Sequence, residues 1–373
     1  MRTGLNNNKR FPRMLIAVSV LLLISVCGVA MCVRTGAPEL ISPKLAAHNL
    51  ITWFRLGIAR VFKQPLYVDR QSIITASPYY LETVARAQNL IITVLCGACI
   101  AMCGGVFQTV FRNPAAAPTM LGVSSGIELG ILLLVLKYSV DVYSKTTERY
   151  LYCYSLAVIV LALVILLGRL VSGKRHSGTE MLLSGAIISQ IMSVVMMYIR
   201  FRLELVDLET LQTISLYGFT MNTTFEFART SLFLLIAIVI VCILPLFLMR
   251  FSFDVISYPD EEAVTLGLNP SIVRVIALIV TTFLMTSAIL YCGSVGILSL
   301  IIPHICRFTF DSRFKSVFYG SALFGPLLLV ICRLISSLIY VDGFGALPLG
   351  PLVGVVSAPL LAVVMMKRRG GLE

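Results

Sequence analysis

"NLIITVLCGACIAMCGGVF", residues 89–107, carries no charged side chain from end to end. A hydrocarbon core of about 30 Å needs about 20 apolar helical residues to cross it. The run is continuous rather than alternating, so it predicts a transmembrane helix and not a strand of a barrel. The rest of the chain follows suit. Of 373 residues, 58% are hydrophobic and 13% are charged, where a soluble domain carries roughly 25% charge. Ten apolar segments read as spans: 14–33, 89–107, 119–137, 150–169, 181–199, 231–249, 272–291, 295–305, 317–339 and 347–366. The expected fold is all-α, a polytopic membrane helix bundle forming one transmembrane domain over 1–373. The 295–305 segment is too short to cross alone, and Pro303 is expected to break its end. Cys96, Cys99 and Cys103 share one helical face and read as small core hydrophobes, since no histidine or carboxylate accompanies them.

Net charge is +12. With ten spans, the basic residues collect on alternate connections: Lys9, Arg10 and Arg13; Arg112; Arg169, Lys174 and Arg175; Arg250 and Arg274; Arg307, Arg313 and Lys315; and Lys367 to Arg369. This is the positive-inside pattern, and it predicts both termini in the cytoplasm. Nucleic-acid binding is not needed to explain the basic excess. The first span follows Lys9, Arg10 and Arg13 and reads as uncleaved, because many spans come after it. The 34–88 segment then lies outside the cell, and its "LITWFRLGIARVFKQ" reads as an amphipathic helix at the outer interface, with Trp53 at headgroup level. Gly122, Gly126 and Gly130 recur at four-residue spacing, as do Gly350 and Gly354. They predict close backbone packing, or a close-packed wall along a pore.

One cytoplasmic connection departs from the basic trend. "YPDEEAVTLGLNP", residues 258–270, holds Asp260, Glu261 and Glu262 in a row. Ser257 can cap a helix there, with Pro259 in its first turn and the three acids at the positive end of its dipole. Ala263 and Leu266 share a face, Gly267 stops the helix, and Asn269 caps the next one, which starts at Pro270. A helix this short is marginal alone in water. It either tucks against its own protein or docks a cytoplasmic partner. The chain has no phosphate loop: "GRLVSGKRHSG" is its nearest basic glycine stretch and lacks the spacing. No motif suggests catalysis or a bound cofactor, so ATP-driven work would fall to another chain.

Four stretches, in order, resemble one family. They are "GGVFQTVFRNPAAAPTMLGVSSG" (104–126), "DEEAVTLGLN" (260–269), "GSVGILSLIIPHICR" (293–307) and "ALPLGPLVGVVSAP" (346–359). The chain is similar to FecCD-type permeases of ABC importers for iron–siderophores, haem and vitamin B12. The resemblance implies a homodimer of ten-helix subunits in the cytoplasmic membrane. It also implies cytoplasmic ATPase subunits that use the ATP and an extracytoplasmic substrate-binding protein. It makes Asp260, Glu261, Glu262, Ala263, Leu266 and Gly267 the ATPase-coupling element, within a coupling loop at 250–271. It sets Gly122, Ser124, Ser125, Gly126, Pro303 and His304 among the packing and pore positions, with His304 expected as a satisfied core histidine.

Binding-protein docking would fall to Arg86 and Arg333. The family's outer arginines are otherwise missing, since Ala87, Gln88 and Asn89 follow Arg86, and Ser337 stands four residues beyond Arg333. Ser299 and Ser357 replace glycines, and Ala346 replaces an acid. Two charges within spans, Glu128 and Arg333, raise the expectation of an ion pair. The reading preferred over that pair is that Arg333 snorkels outward near Asp342. An ion-coupled transporter would use such a relay, and a non-transporting scaffold would need neither charge.

Overall fold

The computed structural model describes residues 16, 19–28, 43–61, 79–172, 178–203, 205–220, 225–341 and 345–369. Its helices are α1 (19–28), α2 (Pro43–Val61), α3 (Tyr80–Val110), α4 (Val123–Tyr138), α5 (Thr146–Ser172), α6 (Gly178–Arg200), α7 (Leu205–Tyr217), α8 (Phe225–Leu248), α9 (Arg250–Ile256), α10 (Asp260–Thr265), α11 (Pro270–Cys292), α12 (Ile297–Thr309), α13 (Phe314–Leu338) and α14 (Leu349–Arg369). Tyr340–Val341 and Gly345–Ala346 form a two-residue antiparallel ladder between α13 and α14. Each expected apolar segment overlaps a described helix, the first only over 19–28. Six helices are long and apolar enough to cross a membrane, and α8 with α9 makes a seventh candidate bent by 55°. Three shorter apolar helices lie at 19–28, Ile297–Thr309 and Leu349–Ala362. Both termini lie outside the described residues, as do 34–42 and 62–78 of the outer segment.

The centre of the bundle is α3, which packs against α8, α11, α12 and α13. Bilayer lipid supplies no hydrophobic drive between helices, so close packing of small residues has to hold them. Gly97 of α3 and Gly325 of α13 meet backbone to backbone: a Cβ on Gly97 would lie 2.8 Å from the Gly325 carbonyl oxygen. A similar contact fixes α12. Pro303 has no N–H for the carbonyl of Ser299, four residues back, and that freed carbonyl points at Gly104, where a side chain would collide with it. Contrary to the sequence expectation, Pro303 does not end the segment. The helix runs on to Thr309 because Gly104 of α3 makes room for the displaced carbonyl. With 13 residues α12 is too short to span alone, and α3, α13 and α14 enclose it.

The glycine stripe of α4 is used in packing. A Cβ on Gly126 would lie 2.9 Å from the carbonyl oxygen of Leu156, and one on Gly130 would lie 2.8 Å from Cys153 Cα, both on α5. Gly122, at φ 71°, faces Ser189 of α6. Gly350 of α14 packs onto the Ser294 carbonyl, whereas Gly354 faces open space. Away from the basic end, α5 and α11 join through Tyr150 to Tyr291 and through Tyr154 Oη to Ser287 Oγ at 2.6 Å. Two elements differ from the sequence reading. Helix α3 has 31 residues and reaches back to Tyr80, well beyond the apolar run. Helix α7 is too polar to read as a span, and it packs on α4 and α14. The helix expected at 50–64 overlaps α2, and 62–64 lie outside the described residues. Helix α2 leans on α3, where Asn49 Nδ2 donates to Thr83 Oγ1 at 3.3 Å.

Candidate functional site

The site is built from α9, α10 and the N-terminus of α11. The chain turns sharply out of α8 just past Pro245, and Arg250 lies over the Phe247 ring at 4.4 Å. Phe253 of α9 is buried against Phe314, with ring centroids 4.4 Å apart. Asp254 Oδ1 accepts from the Phe314 backbone N–H at 2.8 Å and so closes the start of α13. These contacts fix α9 to the bundle, and α10 hangs from it.

The ends of α10 follow local rules, with one exception. Ser257 does not cap the helix: its hydroxyl donates to the Asp254 carbonyl at 2.6 Å, and Pro259 occupies the cap position. At the far end Gly267 has φ 82°. Its N–H donates to the Val264 carbonyl and the N–H of Leu268 to that of Ala263, at 2.9 and 3.1 Å. This is a Schellman motif. Asn269 Oδ1 then accepts from Ser271 and Ile272 N–H groups at 3.1 and 3.4 Å, with Pro270 opening α11.

The three acids do not share one role. Asp260 is held in a fork. Arg274 of α11 donates from Nη1 to Oδ2 at 2.8 Å and from Nη2 to Oδ1 at 2.6 Å. Arg112, just past α3, donates from Nη2 to Oδ1 as well, and its Nε donates to the Ile256 carbonyl at 2.8 Å. Arg274 is buried at 5% exposure. Partial burial favours the neutral carboxyl of Asp260, but the hydrogen bonds and charges of Arg274 and then Arg112 outweigh it and hold its pKa below the usual carboxylate range. Glu261 and Glu262 are exposed. Ala263 and Leu266 do not share a face as expected: Ala263 is fully buried and Leu266 is 64% exposed. Leu266 caps the helix and its N–H still bonds to the Glu262 carbonyl at 3.1 Å, but its side chain lies beyond the cover that the bundle gives Ala263. The open surface carries Glu261, Glu262, Val264 and Leu266, flanked by Tyr258.

Arg112 also stands in an unusual backbone position. It has φ 49°, and with Asn113 it closes α3 in a second Schellman motif: Arg112 N–H donates to the Thr109 carbonyl and Asn113 N–H to that of Gln108, both at 3.2 Å. Glycine usually fills that position, and a residue with a Cβ costs about 1–2 kcal/mol there. Deeper in, Gln108 Nε2 donates to the Leu300 carbonyl at 3.1 Å, and Arg307 donates to Gln108 Oε1. His304 Nδ1 donates to the same Leu300 carbonyl at 2.9 Å, a satisfied buried histidine within α12.

The other sequence candidates are placed as follows. Ser124 and Ser125 are half-buried on α4. Arg86 is not presented outward: it is 7% exposed and donates to Glu82 one turn back at 2.5 Å. Arg333 is half-buried, within electrostatic reach of Cys96 and Cys292. Among the described residues it forms no ion pair with Glu128, whose electrostatic neighbour is Arg200. Asp342 lies outside the described residues. Sequence reasoning counted Arg112 and Arg274 only as topology charges. The available signal was two arginines flanking an acidic run in segments assigned to one side of the membrane.

The model of the FecCD transport family matches residues 48–367. The chain belongs to this family. Its relatives include the Fe(3+)-citrate import system permease protein YfmE of Bacillus subtilis, 27% identical over 94% of this chain and 95% of that one. The Fe(3+) dicitrate transport system permease protein FecD of Escherichia coli is 28% identical, over 78% and 86%. The hemin transport system permease protein HmuU of Yersinia pestis is 24% identical, over 76% and 82%. Among solved structures, a transporter described as of the metal-chelate ABC type, in an inward-facing conformation, superposes with a TM-score of 0.73. It covers 94% of this chain at 20% identity, which carries the fold alone. The FecCD chain is a multi-pass membrane protein with the fold of a permease.

Proposed function

We propose that this FecCD protein is the membrane-spanning permease subunit of an ABC importer in the cytoplasmic membrane. It carries a ferric chelate or a related metal chelate such as haem or cobalamin by alternating access. A separate ATPase subunit docks on the open face of α10, and an extracytoplasmic binding protein delivers the cargo. The chain supplies no ATPase site of its own and binds no cofactor. The carrying observation is that family likeness extends across residues 48–367, the coupling segment included. The open face supports the docking role, because a surface helix tied to its own bundle on one side and exposing Val264 and Leu266 on the other suits a partner. Two copies are proposed to form the pore. The apolar faces of α6, including Leu183, Ile187, Ile191 and Val194, are exposed in the single chain and need lipid or a second copy to cover them. Among the described residues Glu128 and Arg333 form no ion pair, so no observation favours an ion-coupled mechanism over this reading.

The test is uptake by a deletion strain complemented with the intact gene and offered ferric citrate, iron–siderophores, hemin or cobalamin. Uptake of one of these, abolished when the partner ATPase gene is removed, is the expected result. Uptake that persists without that ATPase overturns the reading.

A further inference from the structure

Resting on the reading as an importer, we propose that Asp260 is a positioning residue that transmits coupling-helix motion into the bundle, rather than an acid that docks the ATPase. Three observations carry this. First, its carboxylate, with the side chain 40% exposed, is bonded to Arg274 of α11 and Arg112 at the end of α3. Glu261 and Glu262 face solvent. Second, those two arginines are rooted in helices that continue through the membrane, and α3 is the element against which α8, α11, α12 and α13 pack. A displacement of α10 is thereby handed to both helices at one carboxylate. Third, Arg112 holds a left-handed backbone, φ 49°, at a helix end that glycine would fill without strain. A strained position is retained where its side chain has work. Here that work is the reach to Asp260 and to the Ile256 carbonyl at 2.8 Å. The helix alone does not require an arginine at that position.

The inference separates two quantities that a docking acid would move together: how much ATPase binds, and how much cargo moves per ATP. The complete complex, with its ATPase and binding protein, is reconstituted in liposomes. Bound ATPase, ATP hydrolysis and uptake of the chelate identified above are measured for Asp260→Asn, Asp260→Glu and Arg112→Gly. Arg112→Gly is included because glycine suits that backbone. It removes the side-chain link without straining the fold, so the test survives if Asp260→Asn does not assemble. The expected result is normal ATPase binding in Asp260→Asn and Arg112→Gly, with uptake per ATP reduced at least about fivefold, the lower edge of measured coupling between sites. Asp260→Glu, which keeps the charge, recovers most of it. A residue that merely holds the fold together would lower binding, hydrolysis and uptake in proportion. Such a proportional fall, an unchanged uptake-to-hydrolysis ratio in Arg112→Gly, or loss of bound ATPase in Asp260→Asn each overturns the proposal. A wild-type complex that hydrolyses ATP but moves none of the chelates overturns instead the importer reading beneath it.

Discussion

The two sides of α10 and its C-cap, residues 260–266, are put to opposite uses. The inner face is anchored: Asp260 is forked between two arginines, and Ala263 has no exposed surface. The outer face is open: Glu261 and Glu262 are exposed, and Val264 and Leu266 are 60% and 64% exposed. The helix is too short to persist in water by itself, so the burial of Ala263 and the cap at Gly267 keep the open face in shape, and the Asp260 fork links it to the bundle. A partner can then push on the outer side, and the bundle receives the displacement through the inner side.

The strongest way to break this comparison is to change the open face alone. Glu261→Lys with Glu262→Lys and Leu266→Asp is expected to cut ATPase co-purification by at least about tenfold, the loss of a single interface hot spot or more. The thermal unfolding of the permease should stay near wild type, because exposed substitutions cost about 0.5 kcal/mol or less. Retained co-purification would refute the docking role of this face.

Changing the anchored face should do the reverse. Ala263→Leu forces a side chain into a filled site and is expected to cost about 1–3 kcal/mol, seen as lowered thermal stability in detergent. If stability is unchanged, Ala263 is not packed as described.

Gly267→Ala is expected to have a smaller effect. It adds a Cβ where nothing lies within 4 Å, so only the backbone conformation at φ 82° penalises it, by about 1 kcal/mol. Thermal melting distinguishes this from a steric clash, which would cost several times more.

The smallest effect concerns pH. Asp260 has a lowered pKa in the folded protein. Its stabilising contribution is therefore fully present above the unfolded carboxylate value of about 3.9 and is lost only as pH falls through the still lower folded value. Between about pH 5 and 8 the melting temperature of the wild type and of Asp260→Asn should differ by a constant amount. A difference that shrinks as pH falls through 6 would show that Asp260 is not held by its arginines.

The apolar segments were legible because each depends on a composition that lipid imposes residue by residue. The end of α10 at Gly267 and the start of α11 at Asn269 and Pro270 were legible for a similar reason: caps act within four residues of chain. Ser257 misled because its hydroxyl had a competing local acceptor, the Asp254 carbonyl. Pro303 misled because its usual effect was relieved by a glycine far away in sequence, Gly104. Arg86 read as an outward arginine, but an acid one turn away and the burial of α3's outer end keep it inside.

By itself, then, the sequence determined that the chain is a helical membrane protein, where its apolar segments lie, and that a short capped acidic helix sits between two of them. It also carried the family motifs in order. Only the tertiary structure decided that Asp260 is bonded to Arg274 and Arg112 while Glu261 and Glu262 stay exposed, and that Ala263 and Leu266 part company. The physical reason is range. Capping and hydropathy act over a few residues along the chain. The Asp260 fork needs residues 112, 260 and 274 brought to one point, and the placement of α3 in that arrangement rests on glycine contacts with α13 and α12, Gly97 with Gly325 and Gly104 with Ser299, far from residue 260 in sequence.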